Sequence, residues 1–135
     1  MKHEIKINSL LRNMKVADAF RRWLCEDGDT LIASADLLGG STWARRAHAL
    51  VDCAREGGDL HTHRRTLARL ARLFRLEFVD DFSGPEAARF ADVHPDDPRA
   101  TEAMISADAI SRGKRALEAL WLAGIPGHAH GEEVQ

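Results

Sequence analysis

The sequence predicts an all-α protein, built as a single compact domain of five to six helices with a long helix near the C-terminus. Apolar residues recur at intervals of three and four along most of the chain, which is the spacing of one helix face. Asp-Gly, Gly-Gly and proline-containing segments separate these stretches and end helices. A chain of 135 residues, 44% of them hydrophobic, is long enough for one core. We expect residues 1–126 to form the domain and residues 127–135 to form a flexible tail.

Two helices are predicted in the N-terminal third. The first begins at Ser9, a favourable N-cap residue, and continues until Asp27 and Gly28 interrupt the apolar pattern. The second is short, from Thr30 to Leu38, and follows Asp29 as its cap. The Gly-Gly pair at residues 39–40 then ends it.

Three helices are predicted in the middle of the chain. One begins at Ser41 and ends at Gly57, where glycine is common just past a helix. The next has a narrow apolar face, and arginine fills much of its remaining surface up to Arg75. A capping box at residues 83–86, with proline at the first helical position, predicts a short helix to about Asp92. Residues 76–79 are ambiguous: they alternate briefly, as a short extended piece does, but a single strand has no visible partner in the sequence.

The last helix is predicted to be the longest. Asp97 is placed to cap it, Pro98 occupies its first position, and Gly124 ends it. Gly113 interrupts the helix and is expected to weaken it or mark a kink. We expect this helix to pack against the first helix and against the helix that begins at Ser41.

Composition limits the compartment and the class of protein. No apolar run is long enough to cross a membrane, and the N-terminal residues carry mixed charge without the apolar stretch of a secretion signal. The two cysteines, Cys25 and Cys53, do not make a disulfide framework. We therefore expect both to be reduced thiols in a cytoplasmic protein that does not contact membranes.

One segment predicts DNA binding. Residues 30–51 resemble a degenerate helix-turn-helix: a short helix, a glycine turn and a second helix whose exposed positions bear groups that bind phosphates and bases. In that arrangement the base contacts are made by Thr42, Arg45 and Arg46. The apolar positions of the second helix come about two residues late, so two antiparallel helices that contact no DNA explain the same pattern.

The arginine-rich helix offers a second basic surface. Arg64, Arg65 and Arg69 are placed to contact phosphates in the DNA hypothesis. The net charge of −2 conceals a division: residues 45–75 carry eight arginines against three acids, whereas residues 77–108 carry nine acids against two arginines. The arginines therefore have three possible environments: a nucleic acid, solvent, or the acidic half of the same chain.

Metal binding and catalysis have weaker support in the sequence. Two His-x-His pairs, at residues 61–63 and 128–130, are spaced for ligation on an extended segment, but a site needs three or four converging ligands. No HExxH motif, paired CxxC motif, phosphate-binding glycine loop or nucleophile elbow occurs. We expect no cofactor, no metal and no catalytic residue, and an enzyme with a histidine-based metal site ranks third among the functions considered.

These observations favour a non-enzymatic regulatory protein that acts by binding a macromolecule, with DNA as the first hypothesis. The alternative is a helical protein–protein adaptor or inhibitor, including one that forms a homodimer. For the alternative, Trp23 is the predicted anchor for a partner, because it lies beside arginines at the edge of the apolar stripe of the first helix. Trp43 and Trp121 lie on apolar stripes and are expected to pack in the core.

Overall fold

The computed structural model of the protein describes the backbone of residues 2–76, 94 and 96–128, with side chains from residue 7 onward. In this part of the chain every regular element is helical. Four α-helices follow one another, with a 3₁₀ turn (Leu60–His63) between the second and the third: α1 (Lys2–Gly39), α2 (Ser41–Arg55), α3 (Arg64–Phe74) and α4 (Pro98–Leu122). The prediction of an all-α protein is therefore confirmed.

The number of helices differs from the prediction for two reasons. The two helices predicted in the N-terminal third form one helix, α1, in which only Asp27 has non-helical backbone angles (φ −116°, ψ 18°). One such residue kinks the helix without ending it, and α1 also begins before Ser9. The short helix predicted to end near Asp92, and the ambiguous residues 77–79, lie outside the described residues.

Helix α1 forms the centre of the fold, because it packs against both α2 and α4. A Cβ atom on Gly28 would lie 2.5 Å from Val51, so the absence of a side chain lets α1 and α2 approach closely. On the other side, the space beside Gly113 of α4 is filled by the ring of Phe20. Gly113 is buried and α4 is continuous through it, so this glycine serves helix packing where the sequence suggested a kink.

Helix α4 packs against α1 and α3, and it does not contact α2 in the described residues. The expectation that it would pack against the helix beginning at Ser41 was therefore wrong. The predicted ends of α4 are confirmed. The side chain of Asp97 accepts a hydrogen bond from the backbone N–H of Arg99, Pro98 stands at the first turn, and the helix ends before Gly124. Hydrogen bonds from Arg99 lower the pKa of the Asp97 carboxyl.

The residues after α4 fold back on the middle of the chain. The backbone N–H of Gly127 donates to Asp59 Oδ1 (3.0 Å), and the Gly127 carbonyl accepts from the N–H of Leu60 (3.1 Å). The Ile125 carbonyl lies 2.8 Å from His61 Nε2. The C-terminal segment 125–127 is thus fastened to the loop between α2 and α3. The predicted flexible tail otherwise lies mostly outside the described residues and stays a prediction.

None of the described helices is both long enough and apolar enough to cross a membrane.

Candidate macromolecule-binding surface

The segment predicted as a helix-turn-helix is an antiparallel helical hairpin. Gly40 alone joins α1 to α2, and its positive φ of 87° allows the chain to reverse within one residue. Gly39 lies against Trp43 beside this turn, and Gly28, three turns away, lies against Val51. Contact at both ends means that the helices run alongside each other, whereas those of a DNA-reading motif cross at about 90–120°. The geometry is that of the antiparallel alternative.

The three residues predicted to read DNA bases lie near the start of α2. Thr42 and Arg45 are exposed, and Arg46 is half-buried because its guanidinium lies over the Trp43 ring, 4.6 Å from the centroid. This stacking directs Arg46 along its own helix. The residues are accessible, but they line none of the described grooves with the α3 arginines.

The α3 arginine surface, formed by Arg64, Arg65 and Arg69, faces solvent. All three side chains are exposed. Within the described residues no carboxylate pairs with any of them. The buried residues of α3 occupy the opposite face, so the amphipathic pattern of the sequence places these arginines correctly at the surface.

Two described acids of the acidic half pair with arginines close to them in the sequence. Asp97 bonds to Arg99 at 2.6 Å, and Asp108 pairs with Arg112 at 3.1 Å on the same helix. Neither acid reaches α3. Charge attraction between these acids and the α3 arginine surface therefore does not organise the described part of the fold. The acids at positions 77–92 lie outside the described residues.

A groove with a volume of about 400 Å³ lies between α3 and α4. We call it the α3–α4 groove. Its α3 wall is formed by Arg64, Arg65, Leu67 and Ala68, and its α4 wall by Lys114, Leu117, Glu118, Trp121 and Leu122. The spacing of the α4 residues is that of one helix face over two turns. Aliphatic and indole groups line the groove, and cations stand along its rim.

Trp121 occupies one end of this groove, and it was expected in the core. Its side chain is 47% exposed, and the adjacent Leu122 is 85% exposed. The Arg64 guanidinium lies over the indole ring, 4.0 Å from the centroid, and the His61 ring meets the indole edge-on at 5.3 Å. The expectation for Trp121 was wrong. Trp121 lies in the last turn of α4, and no described helix other than α3 covers that turn.

His61 supports Trp121 from inside the fold. The His61 side chain is buried, and its Nε2 atom faces the Ile125 carbonyl, which can only accept, so Nε2 carries the proton. Its other nitrogen, Nδ1, is buried without a hydrogen-bond partner in the described structure. Of the His-x-His pair at residues 61 and 63, which the sequence did not favour as metal ligands, His61 is thus committed to the fold through Nε2. No signal in the sequence indicated that His61 would be the buried member of this pair.

Trp23, the predicted partner anchor, is half-buried and stacks on Phe20 with ring centroids 6.1 Å apart. It lines a second, shallower hollow between α1 and α4, beside Ile105 and Arg112. The indole is thus accessible, but its neighbours are a core ring and an arginine that is already paired with Asp108.

The described residues contain no nucleophilic or metal-ligating cluster. No group of three His, Cys, Asp or Glu side chains among them could hold a metal ion. Both cysteines are free thiols, and burial raises the pKa of the Cys53 thiol above its ordinary value. A raised pKa keeps a thiol protonated and weakly nucleophilic at neutral pH.

The structure brings together only part of the predicted contact set. Arg64 and Arg65 meet at the α3–α4 groove, Arg69 continues their surface along α3, and the α2 residues stand apart. The sequence showed the arginines but missed Lys114, Trp121 and Leu122 as their neighbours, because only the packing of α3 on α4 joins them. No protein-family model matches this chain, and no curated protein or solved structure is significantly similar to it.

Proposed function

We propose that this protein is a non-enzymatic regulatory adaptor of the cytoplasm, which binds an acidic protein partner at the α3 arginine surface and the α3–α4 groove. One observation carries the proposal. Exposed arginines with no carboxylate partner in the described structure stand beside an exposed indole and an exposed leucine at the end of α4. Tryptophan and arginine are the residues that most often dominate the binding energy of protein interfaces.

The apolar content of the groove favours a protein over a nucleic acid. Phosphate groups gain nothing from Leu122, which is 85% exposed, whereas an apolar side chain seated there removes Leu122 and part of the Trp121 indole from water. The hairpin of α1 and α2 also lacks the crossed geometry that presents a recognition helix to the major groove. Both observations favour the adaptor hypothesis over sequence-specific DNA recognition.

DNA binding remains the second candidate, because a specific observation favours it. Arg64, Arg65 and Arg69 are exposed cations without a carboxylate partner among the described residues, and such cations bind phosphates of any sequence. In this alternative Thr42, Arg45 and Arg46 make the base contacts. The net charge of −2 opposes tight non-specific binding by a monomer, so a dimer would be needed.

Charge reversal at the surface separates the two candidates. We would immobilise the wild-type protein, the Arg65→Glu variant and a charge-reversal control, Arg112→Glu, whose side chain is also exposed and pairs with Asp108 on α4, outside the α3–α4 groove. Each would be exposed to cell extract and, separately, to pooled genomic duplexes at low salt. We expect one or more proteins to be retained by the wild type and the control and lost from Arg65→Glu.

The outcomes are distinct. Retention of duplex that depends on Arg65, with affinity falling linearly with salt on logarithmic axes, would replace the adaptor with the DNA-binding candidate. If Arg65→Glu retains the same proteins as the wild type, the proposed surface is wrong. Thermal unfolding of each variant checks that the fold is intact, since an exposed substitution changes stability by no more than about 0.5 kcal/mol.

A further inference from the structure

We infer that the α3–α4 groove receives one amphipathic helix of the partner, with an apolar stripe on the groove floor and carboxylates along its flank. This inference rests on the proposed function and specifies the conformation and chemistry of the partner. The length of the groove, the chemistry of its walls and the hydrogen-bonding capacity of the helices that form it support this inference.

The length of the groove fits two turns of a helix. Lys114 and Leu122 mark its ends on α4, and eight residues of helix rise about 12 Å. Two turns of a partner helix cover about 11 Å and bring apolar residues at i, i+4 and i+7 onto one face. The volume of about 400 Å³ accommodates a few aliphatic side chains of such a stripe.

The groove offers few hydrogen-bond acceptors to an extended chain. Its walls are helices whose backbone groups mostly bond within the helix, its exposed apolar surface comes from Trp121 and Leu122, and its cations can donate but not accept. The N–H groups of an extended peptide laid there would therefore lose water and find few acceptors. A helix satisfies its own backbone, so only its side chains need to match the groove.

The charges on the rim favour carboxylates on the partner helix. Arg64 and Arg65 stand on the α3 side. Glu118, the single acid among the described residues that line the groove, is already bonded to Lys114 at 2.8 Å on the α4 side. The rim therefore has an excess of positive charge, and a helix with glutamates beside its apolar stripe complements it. A lysine-flanked helix of the same shape would be repelled.

A synthetic peptide tests the inference directly. The probe is a capped, fluorescently labelled helix of about four turns with leucines at i, i+4 and i+7 and glutamates on both flanks. Three matched peptides carry a central proline, lysine in place of glutamate, or the same residues in scrambled order. Anisotropy titrations measure affinity, and circular dichroism measures the helicity of each peptide. We expect the probe to bind and each matched peptide to bind at least tenfold more weakly.

Variants of the protein locate the binding. Leu122→Ser at the groove and Arg65→Glu on its rim should each weaken binding of the probe at least tenfold. Met104→Ser is the matched control for Leu122→Ser, because Met104 is also an exposed apolar residue of α4 (73%) but lies outside the groove. Arg112→Glu is the control for Arg65→Glu. Both controls should bind like the wild type.

Each of the remaining possible results would overturn one specific part of the proposal. Equal affinity for the proline peptide would overturn the helical partner, and the adaptor would stand if extract proteins still depended on Arg65. Equal weakening by Met104→Ser and Leu122→Ser would remove the groove as the site. Displacement of the probe by duplex DNA would identify a nucleic acid as the occupant. No peptide binding, together with no Arg65-dependent protein, would defeat both proposals.

Discussion

A single buried arginine connects three parts of the chain. Arg21 of α1 is only 7% exposed, and it donates hydrogen bonds to the carbonyls of Ala54 (3.2 Å), Gly58 (2.6 Å) and Gly127 (2.5 Å). A buried cation is tolerated only when its donors are satisfied. The carbonyl at the C-terminal end of α2 is well suited to this task, because the helix dipole makes that end negative.

Replacing Arg21 with methionine should destabilise the protein strongly. Arg21→Met keeps much of the apolar stem but removes three hydrogen bonds, including the donor to the Gly58 carbonyl, so we expect a loss of about 2–4 kcal/mol in the free energy of unfolding. The neighbouring Arg22 is exposed, and Arg22→Met should change stability by less than about 0.5 kcal/mol. Urea denaturation at pH 7 measures both. Equal stability of the two variants would contradict the role given to Arg21.

The sequence could not show that Arg21 is buried or which groups it bonds. Residues 20 and 21 both fit the edge of the apolar stripe of α1, and the carbonyls that receive Arg21 are contributed by residues 33, 37 and 106 positions away. Local periodicity shows which side chains face inward, but not which polar groups await them there. The exposure of Trp121 was missed for the same reason, since it depends on where α3 stops covering α4.

At the scale of helices, the packing of α1 against α4 depends on Gly113. A helical glycine normally weakens a helix by about 1 kcal/mol relative to alanine. Here the missing side chain makes room for the ring of Phe20, which is buried. The two effects of an alanine substitution therefore oppose each other, and the packing decides the sign.

Gly113→Ala should destabilise the protein in spite of its better helix propensity. The new methyl group would overlap the Phe20 ring, and overpacking of this kind costs about 1–3 kcal/mol. We expect a lower midpoint of thermal unfolding for Gly113→Ala, and partial recovery in the double variant with Phe20→Leu, which is smaller at the contact. A stabilised Gly113→Ala variant would show that the helices separate without cost.

The end of α2 and both ends of α4 were predictable because their signals are local. Asp97, Pro98 and Gly124 mark the ends of α4 as expected, and Gly57, with a φ of 74°, ends α2. The continuity of α1 was not predictable from its sequence. Asp27 and Gly28 have the composition of a helix end, and the packing of both halves of α1 on their neighbours keeps them joined.

At the scale of the whole molecule, the fold is closed by hydrogen bonds among α1, the loop between α2 and α3, and segment 125–127. The segment 125–127 bonds to Asp59, Leu60 and His61, and Arg21 joins it from α1. The same closure holds the His61 ring against Trp121 at the end of the α3–α4 groove. The candidate site thus depends on contacts between residues far apart in sequence. This explains why its arginines were predictable from composition and its groove was not.

Two truncations test whether this closure stabilises the fold. Removal of residues 129–135 should change stability by less than about 0.5 kcal/mol, because the four hydrogen bonds that join segment 125–127 to Arg21, Asp59, Leu60 and His61 remain. Removal of residues 125–135 should cost about 3 kcal/mol or more, since buried donors and acceptors lose their partners. Urea denaturation followed by far-ultraviolet circular dichroism compares the two forms with the full chain.

A point substitution makes the same test in the full-length protein, and it serves if the form that lacks residues 125–135 does not fold. Asp59 Oδ1 accepts from the N–H groups of both His61 and Gly127. Asp59→Asn keeps an oxygen that can accept both bonds, whereas Asp59→Ala keeps none. We therefore expect the alanine variant to unfold at clearly lower urea than the asparagine variant, and its Trp121 emission to shift as His61 is released. Equal midpoints for the two variants, with unchanged emission, would mean that the C-terminal segment rests on the fold without holding it closed.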